Sequence, residues 1–295
     1  MDSNTYTSIL KTICYADIFD FPLTEEEVFI WLTSLNTKKK IKRKELIDQI
    51  RLANGVIKHK DNLLFLKGRG SLLRIRKNRE AIAKKKLVIA KKVASILCHI
   101  PTITLIGVSG SVAIENAKEH DDIDIFIVTK AHTIWLTRLI TTVVADLFAK
   151  RRKPGSLSLT NAICFNMFVD EYHLAIPKEK QNLYVAHEVC QLKVLYNKNN
   201  TYERFLTANA WSKKFLPNAT SLQKPQQKIQ NSSFSFSYLL LPLEKIAKFF
   251  QLWYMHKRYT TETVSDHVLA FHPKDYTPHI LTAFERKLKL YGAYV

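Results

Sequence analysis

The stretch of residues 105–129, LIGVSGSVAIENAKEHDDIDIFIVT, decides the fold. It opens with an apolar run typical of a buried strand, which ends at Gly110 and Ser111. A short helix is predicted to follow directly. Ten residues separate Ser111 from Asp122, and Asp122 and Asp124 then lead into a second apolar run. The sequence therefore predicts a strand, a turn, a short helix and a second buried strand.

Each part of this stretch has a chemical reason for its residue type. Gly110 lets the backbone approach a phosphate closely, Ser111 offers a hydroxyl, and a helix start supplies free amides. Asp122 and Asp124 are spaced i, i+2, so a strand places both side chains on one face. At about 5 Å, two carboxylates repel by about 3 kcal/mol at an effective dielectric of about 20. A hard divalent cation, usually Mg²⁺, would turn this repulsion into a binding site.

The order Gly-Ser, ten residues, then Asp-x-Asp in an apolar strand resembles the DNA polymerase beta-type nucleotidyltransferase superfamily. The resemblance implies that Gly110 and Ser111 bind the triphosphate of an NTP substrate. It also implies that Asp122 and Asp124 are catalytic and hold Mg²⁺ (or Mn²⁺). A paired-ion site of this kind stabilises both the attacking and the leaving oxygen of a phosphoryl transfer. The implied reaction moves a nucleoside monophosphate to an acceptor hydroxyl.

The resembled superfamily has a third carboxylate on a later strand, and here the sequence leaves that position open. The candidate strand, residues 162–169, is followed by Asp170. A period of two places Cys164, Asn166 and Asp170 on one face. Either Asp170 completes the catalytic set, or Asn166 substitutes weakly through its carbonyl, or catalysis is reduced or lost. Asp121 would point to the opposite strand face, so we leave it out of the metal site.

Three helices followed by a β-hairpin are predicted for the first 70 residues. Thr24 and Glu27 form a capping box at the start of the second helix. The turn at Asp61 and Asn62 joins the two strands of the hairpin. This order of elements resembles a winged helix-turn-helix domain, which implies a third helix in the major groove of DNA and a hairpin wing.

The net charge of +19 is concentrated in one part of the chain. Residues 38–92 hold 20 Lys and Arg against four Asp and Glu, a local excess of 16, and the rest of the chain shares the remaining +3. Such a concentration attracts polyanions, so DNA or RNA is a candidate partner of the basic region 38–92. A solvated helix face that keeps the protein soluble is the alternative.

The predicted fold class is α+β, with four parts. These are a winged-helix-like domain (1–70), a basic connecting helix (71–100), a nucleotidyltransferase core with a mixed sheet and helices (101–177), and a helical C-terminal domain (178–295). The four cysteines lie far apart, which is typical of buried thiols in a reducing cytoplasm. No run of about 18 apolar residues occurs, so no membrane span is predicted. His267, His272 and His279 are spaced by five and seven residues, which does not match a helical metal site.

Three functions follow from these features. The first is an enzyme that transfers a nucleoside monophosphate from an NTP to a nucleic acid or protein acceptor. The second is a nucleic-acid-binding or regulatory protein whose nucleotidyltransferase fold is degenerate and senses a nucleotide or is inactive. The third is the nucleotidyltransferase of a toxin–antitoxin pair that modifies a partner protein. The N-terminal extension and the large helical tail disfavour this third function, because such antitoxins are usually small.

Overall fold

The computed structural model describes residues 3–33, 43–52, 55–152, 160–219, 239–256, 263–271 and 275–293 of the chain. The α-helices of these residues are α1 (Ser3–Ile18), α2 (Glu25–Ile30), α3 (Arg43–Leu52), α4 (Leu72–Leu97), α5 (Gly110–Ala113), α6 (Ile134–Phe148), α7 (Leu183–Cys190), α8 (Thr201–Ala208), α9 (Leu241–Met255) and α10 (Thr277–Leu290). The strands are β1 (Ile57–Lys60), β2 (Leu63–Leu66), β3 (Ile103–Val108), β4 (Ile123–Thr129), β5 (Ile163–Asp170), β6 (Lys193–Asn197), β7 (Thr263–Val264) and β8 (Val268–Ala270).

Six of these strands form a mixed sheet at the centre of the molecule, in the order β6-β3-β4-β5-β8-β7. The central strands β4 and β5 are parallel, and the other neighbours are antiparallel. A separate antiparallel hairpin consists of β1 and β2. The chain therefore has the mixed α+β architecture that the sequence predicts for its core.

The sheet is covered on both faces, and β4 shows how its residues divide between them. Ile123, Ile125 and Ile127 join an apolar core with residues of α4, α6 and α9. Phe126 and Val128 point to the opposite face and join a core with residues of α1, α7, α8 and α10. Because side chains alternate along a strand, an acid at position 124 faces this second core.

The helical C-terminal domain predicted for residues 178–295 differs from the observed structure. Strands β6, β7 and β8 all fall in this range and belong to the central sheet. The sequence predicts a single helix over 183–195, but α7 ends at Cys190 and β6 begins at Lys193. The cause is tertiary pairing, since β6 hydrogen-bonds along β3 from Leu105 to Val108. This edge pairing overrides the helical periodicity of the sequence.

The N-terminal elements appear in the predicted order, three helices and then a hairpin. The capping box is confirmed, because Thr24 Oγ1 accepts from the Glu27 amide at 3.1 Å and Glu27 Oε2 accepts from the Thr24 amide at 2.9 Å. At the hairpin turn, Asp61 and Asn62 both have positive φ, 51° and 60°. Residues 34–42, which include Lys42 and the start of the basic region, lie outside the described residues.

This N-terminal part shares its core with the C-terminal helices. Residues of α1, α2 and the hairpin belong to the same buried cluster as residues of α7, α8 and α10. The Tyr15 ring stacks on the His187 ring at 4.2 Å between centroids, with an interplanar angle of 9°. The shared core packs the described N-terminal elements against the C-terminal helices and one face of the sheet.

Part of the basic region is internal and cannot meet a polyanion. Arg76 is buried, lies 3.7 Å over the Phe21 ring and donates to Glu27 at 2.7 Å. Lys86 is 1% exposed. These two side chains hold protein segments together, so the predicted patch of residues 38–92 is smaller than the sequence count.

Candidate active site

Asp122 and Asp124 form the centre of the candidate site at the start of β4. Ligand atoms of Asp122, Asp124 and Cys164 all lie within 4.8 Å of one another. The backbone carbonyl of Asp124 accepts a hydrogen bond from the Ser109 amide at 3.0 Å, which ties the strand to the turn after β3. Two carboxylates at this spacing have the oxygen donors that a hard divalent cation prefers.

Gly110 sits directly against this pair. Its φ is +63°, in the left-handed region that favours glycine. A Cβ atom built at this position would lie 3.0 Å from Asp124 Oδ2. Glycine is therefore required both for the backbone conformation and for the close approach to the carboxylate.

The Ser111 hydroxyl is hydrogen-bonded to Asp121 and not to the aspartate pair. It donates to Asp121 Oδ2 at 2.9 Å, and the Lys118 amide donates to the same oxygen at 2.8 Å. Asp121 thus holds the loop that follows α5. Because α5 has only four residues, its dipole contributes little to phosphate binding.

A buried lysine supports this loop from α4. Lys86 Nζ donates to the carbonyls of Glu119 and Asp121, at 3.0 and 2.7 Å, and to Asn161 Oδ1 at 3.0 Å. Lys86 belongs to a charge run that the sequence suggests is a solvated face or a polyanion contact. The structure gives it a different role, as an anchor of the segment that leads into Asp122.

Cys164 occupies the position on β5 beside the aspartates. In the parallel β4–β5 register, Asp124 pairs with Cys164 and Ile125 with Phe165. The register then shifts, so that Phe126 pairs with Met167 and Asn166 has no Cα partner on β4. This irregularity breaks the alternation of side chains expected from the sequence. Phe165 and Phe168 are three residues apart and would lie on opposite faces of a regular strand, but their rings pack together with centroids 5.9 Å apart.

The structure does not bring Asp170 to the pair, contrary to the sequence expectation. Asp170 pairs with Thr129 at the other end of β4, five residues from Asp124. At about 3.3 Å per residue, this corresponds to about 16 Å. Asp170 is 1% exposed and accepts hydrogen bonds from the amides of His132 and Tyr172. The length of the strand therefore removes Asp170 from the candidate active site.

Arg152 is a cation at the site that sequence reasoning missed. Its Nη1 atom donates to Asp122 Oδ2 at 2.7 Å and lies 3.9 Å from Cys164 Sγ. The position follows from pairing with β5, since the Arg152 amide donates to the Ile163 carbonyl at 2.8 Å. The sequence indicates only a basic turn here, residues 150–155, of which 153–155 lie outside the described residues.

Helix α7 adds a third carboxylate to the electrostatics of the site. Burial, together with the charges of Asp122 and Glu188, raises the pKa of Asp124 to about 7. Burial also raises the pKa of Glu188 to about 7. The pKa of Tyr184 on the same helix is raised by burial and by the charges of Glu188 and Asp124. Sequence reasoning missed Glu188 because nothing in the pattern of α7 separates it from a surface glutamate.

A comparison with known protein families gives a match in the same part of the chain. Residues 90–204 match the family model of the nucleotidyltransferase domain. This match supports the resemblance to the nucleotidyltransferase superfamily and supports a transferase activity. The matched segment contains β3 through β6 and thus Gly110, Ser111, the aspartate pair and Glu188. No curated protein and no solved structure matches the chain.

Two further observations concern the surroundings of the site. A cavity of about 1030 Å³ runs along the edge strand β6 and is lined by residues of α2 and α8, but not by Asp122, Asp124 or Cys164. It is therefore separate from the aspartate pair. Among the helices in the described parts of the chain, none has the length and apolar character needed to span a membrane.

Proposed function

We propose that this chain is a Mg²⁺-dependent nucleotidyltransferase that moves a nucleoside monophosphate from an NTP to an acceptor hydroxyl. In this reaction the acceptor oxygen forms a bond to the α-phosphorus. The bond from that phosphorus to the bridging oxygen breaks, and pyrophosphate leaves. The observation that carries the proposal is the convergence of Asp122, Asp124 and the Gly110 turn inside the segment that matches the family model.

The residues present fit a divalent metal. The ligand atoms of Asp122 and Asp124 lie within 4.8 Å of each other, and the full charge of Asp124 is disfavoured by burial, which a cation would offset. When bound, Mg²⁺ supplies charge neutralisation for the phosphates. Asp122 and Asp124 would hold it, and the glycine at position 110 leaves room for phosphate beside Asp124. Ser111 would act chiefly by holding Asp121.

Glu188 supplies a candidate general base. A base acts best when its pKa lies near the working pH, and burial places the pKa of Glu188 at about 7. Glu188 lies on α7, which packs against the sheet face that carries Asp124, and its charge raises the pKa of Asp124. We assign to Glu188 the acceptance of the proton from the acceptor hydroxyl.

A second function is favoured by Cys164. The position beside Asp124 on β5, the later strand on which the resembled superfamily has its third acid, holds a thiol whose pKa is raised by burial. A neutral thiol contributes no charge to a Mg²⁺ site. In this alternative the fold binds the nucleotide as a sensor and does not turn it over.

The acceptor is proposed to be a nucleic acid or a protein. The exposed basic side chains on the hairpin and on α4 support a nucleic acid; they are Lys58, Lys60, Lys67, Arg74, Lys77, Lys84, Lys85, Lys91 and Lys92. If about six phosphates are contacted, affinity should fall roughly 10³-fold between about 50 and 200 mM salt. A flat salt response would remove the nucleic-acid acceptor from the proposal.

The deciding experiment measures NTP binding by calorimetry with and without Mg²⁺, together with pyrophosphate release. Wild type should bind NTP only with Mg²⁺, and the double variant Asp122→Ala, Asp124→Ala should not bind. Asp61→Asn is the matched control, because Asp61 is exposed in the hairpin turn and Asn tolerates its positive φ. Wild-type binding that does not depend on the two aspartates would refute the proposed site.

Cys164→Asp then separates the enzyme from the sensor. If the chain is an active enzyme that uses Glu188, wild type releases pyrophosphate once the right acceptor is supplied. If the chain is a sensor, wild type binds NTP without turnover, and Cys164→Asp, which restores the strand acid, gains turnover.

A further inference from the structure

A second cluster of metal-ligating side chains lies at the far end of β5. Ligand atoms of Asp170, His173 and His267 lie within 4.8 Å of one another. The two imidazole rings stack with centroids 3.6 Å apart and an interplanar angle of 16°. The three residues come from the end of β5, the turn after it and the turn between β7 and β8.

The contacts in this cluster leave donor atoms facing a common gap. His173 Nδ1 lies 3.6 Å from Asp170 Oδ1, and His267 Nδ1 lies 3.9 Å from Asp170 Oδ2. Both distances exceed the range of a hydrogen bond. His267 Nδ1 is buried and makes no hydrogen bond within the described part of the chain. A buried ring nitrogen without a partner is costly unless something else occupies its lone pair or proton.

The separations suit a shared ion. Four ligands about 2.1 Å from a tetrahedral centre lie about 3.4 Å apart. The nitrogen–oxygen separations of 3.6 and 3.9 Å are within about 0.5 Å of this value. Binding also requires the two stacked rings to turn apart, so that their in-plane lone pairs converge on the ion. Asp170 is already oriented for this role, because the amides of His132 and Tyr172 each donate to one of its oxygens. Such outer contacts fix a ligating carboxylate in place.

We propose that Asp170, His173 and His267 bind a divalent transition metal of the Zn²⁺ class. Two imidazole nitrogens and one carboxylate oxygen are the donors that Zn²⁺ takes, whereas Mg²⁺ prefers oxygen ligands. This site is distinct from the aspartate pair, which lies at the opposite end of β4. The ion links the turn between β7 and β8 to the end of β5, where the Asp170 amide already donates to the His267 carbonyl at 2.8 Å.

The test is calorimetric titration of the full chain with Zn²⁺ in excess Mg²⁺, which is added to fill the metal site proposed at the aspartate pair. Cys164→Ser serves as the background for all proteins, so that the thiol beside Asp122 and Asp124 cannot bind Zn²⁺. His173→Gln and His267→Gln are compared with His279→Gln, an exposed histidine on α10. The side chains of His173 and His267 are 45% and 39% exposed, so both substitutions should leave the fold intact, which circular dichroism checks.

We expect one equivalent of Zn²⁺ to bind the Cys164→Ser background and its His279→Gln variant. Affinity should fall at least about 10-fold in His173→Gln and in His267→Gln, since even outer-shell losses cost that much. Zn²⁺ should also raise the melting temperature of the first two proteins but not of the last two. Equal affinity in all four proteins, or no binding by the folded background protein, would overturn the proposal.

Discussion

Replacing Asp124 with asparagine should stabilise the metal-free protein at neutral and alkaline pH. Burial and the charge of Asp122 raise the pKa of Asp124 from 3.8 to about 7 in the folded chain. In the unfolded chain the group ionises near its ordinary value. Between these two values the unfolded state loses its proton while the folded state keeps it, so folding stability falls as pH rises. Above about pH 7 the loss is complete.

The size of the effect follows from the shift. An increase of about 3 in the pKa corresponds to a loss of up to about 4 kcal/mol in the free energy of unfolding, at about 1.36 kcal/mol for each pH unit. Up to about 3 kcal/mol of this is lost between pH 5 and pH 8. Asparagine has nearly the same shape and no charge. The advantage of Asp124→Asn over wild type should therefore grow by up to about 3 kcal/mol over that interval.

The assay is urea unfolding in EDTA at pH 5 and pH 8, with Asp61→Asn as the exposed control. With saturating Mg²⁺ and NTP the order should reverse, because the ligands stabilise only a chain that binds them. A difference between wild type and Asp124→Asn that is the same at both pH values would refute the electrostatic reasoning. So would an equal pH-dependent gain in Asp61→Asn.

Three further predictions concern single side chains around the site. Glu188→Gln should lower turnover by about 10²-fold or more with little change in NTP affinity, while the exposed Glu179→Gln should leave turnover unchanged in steady-state kinetics. Arg152→Met should tighten Mg²⁺ binding by up to about fivefold in calorimetry, because the ion pair that competes for Asp122 contributes at most about 1 kcal/mol. Lys86→Met should lower the free energy of unfolding by about 3 kcal/mol in urea, since buried acceptors lose their donor, whereas the exposed Lys85→Met should change it little.

Features set by local sequence could be predicted. The capping box at Thr24 depends on residues three positions apart, and the hairpin turn depends on two adjacent residues that tolerate positive φ. The proximity of Asp122 to Asp124 needs only the two-residue period of a strand. In each case the determining contacts lie within a few residues, so the sequence pattern carries the information.

Features set by pairing between distant strands could not be predicted. The identity of the residue beside Asp124 depends on the β4–β5 register, and the shift near Asn166 moves every later residue of β5 relative to β4. A single register irregularity changes which face a side chain occupies. Periodicity alone therefore put Asp170 on the face of Cys164, and it took no account of the strand length that separates Asp170 from Asp124. The cluster of Asp170, His173 and His267 joins positions more than ninety residues apart in sequence, so the spacing of the later histidines gave no sign of it.

Helix α7 links the N-terminal part of the chain to the candidate active site. His187 on this helix stacks on Tyr15 of α1, and burial lowers its pKa to about 3, so the ring is neutral in this contact. The next residue, Glu188, raises the pKa of Asp124. Helix α1 therefore packs directly on the helix that carries the proposed base. Residues of the hairpin and of α7 belong to one buried cluster, so an acceptor bound at the hairpin would be positioned relative to the aspartates by this shared core.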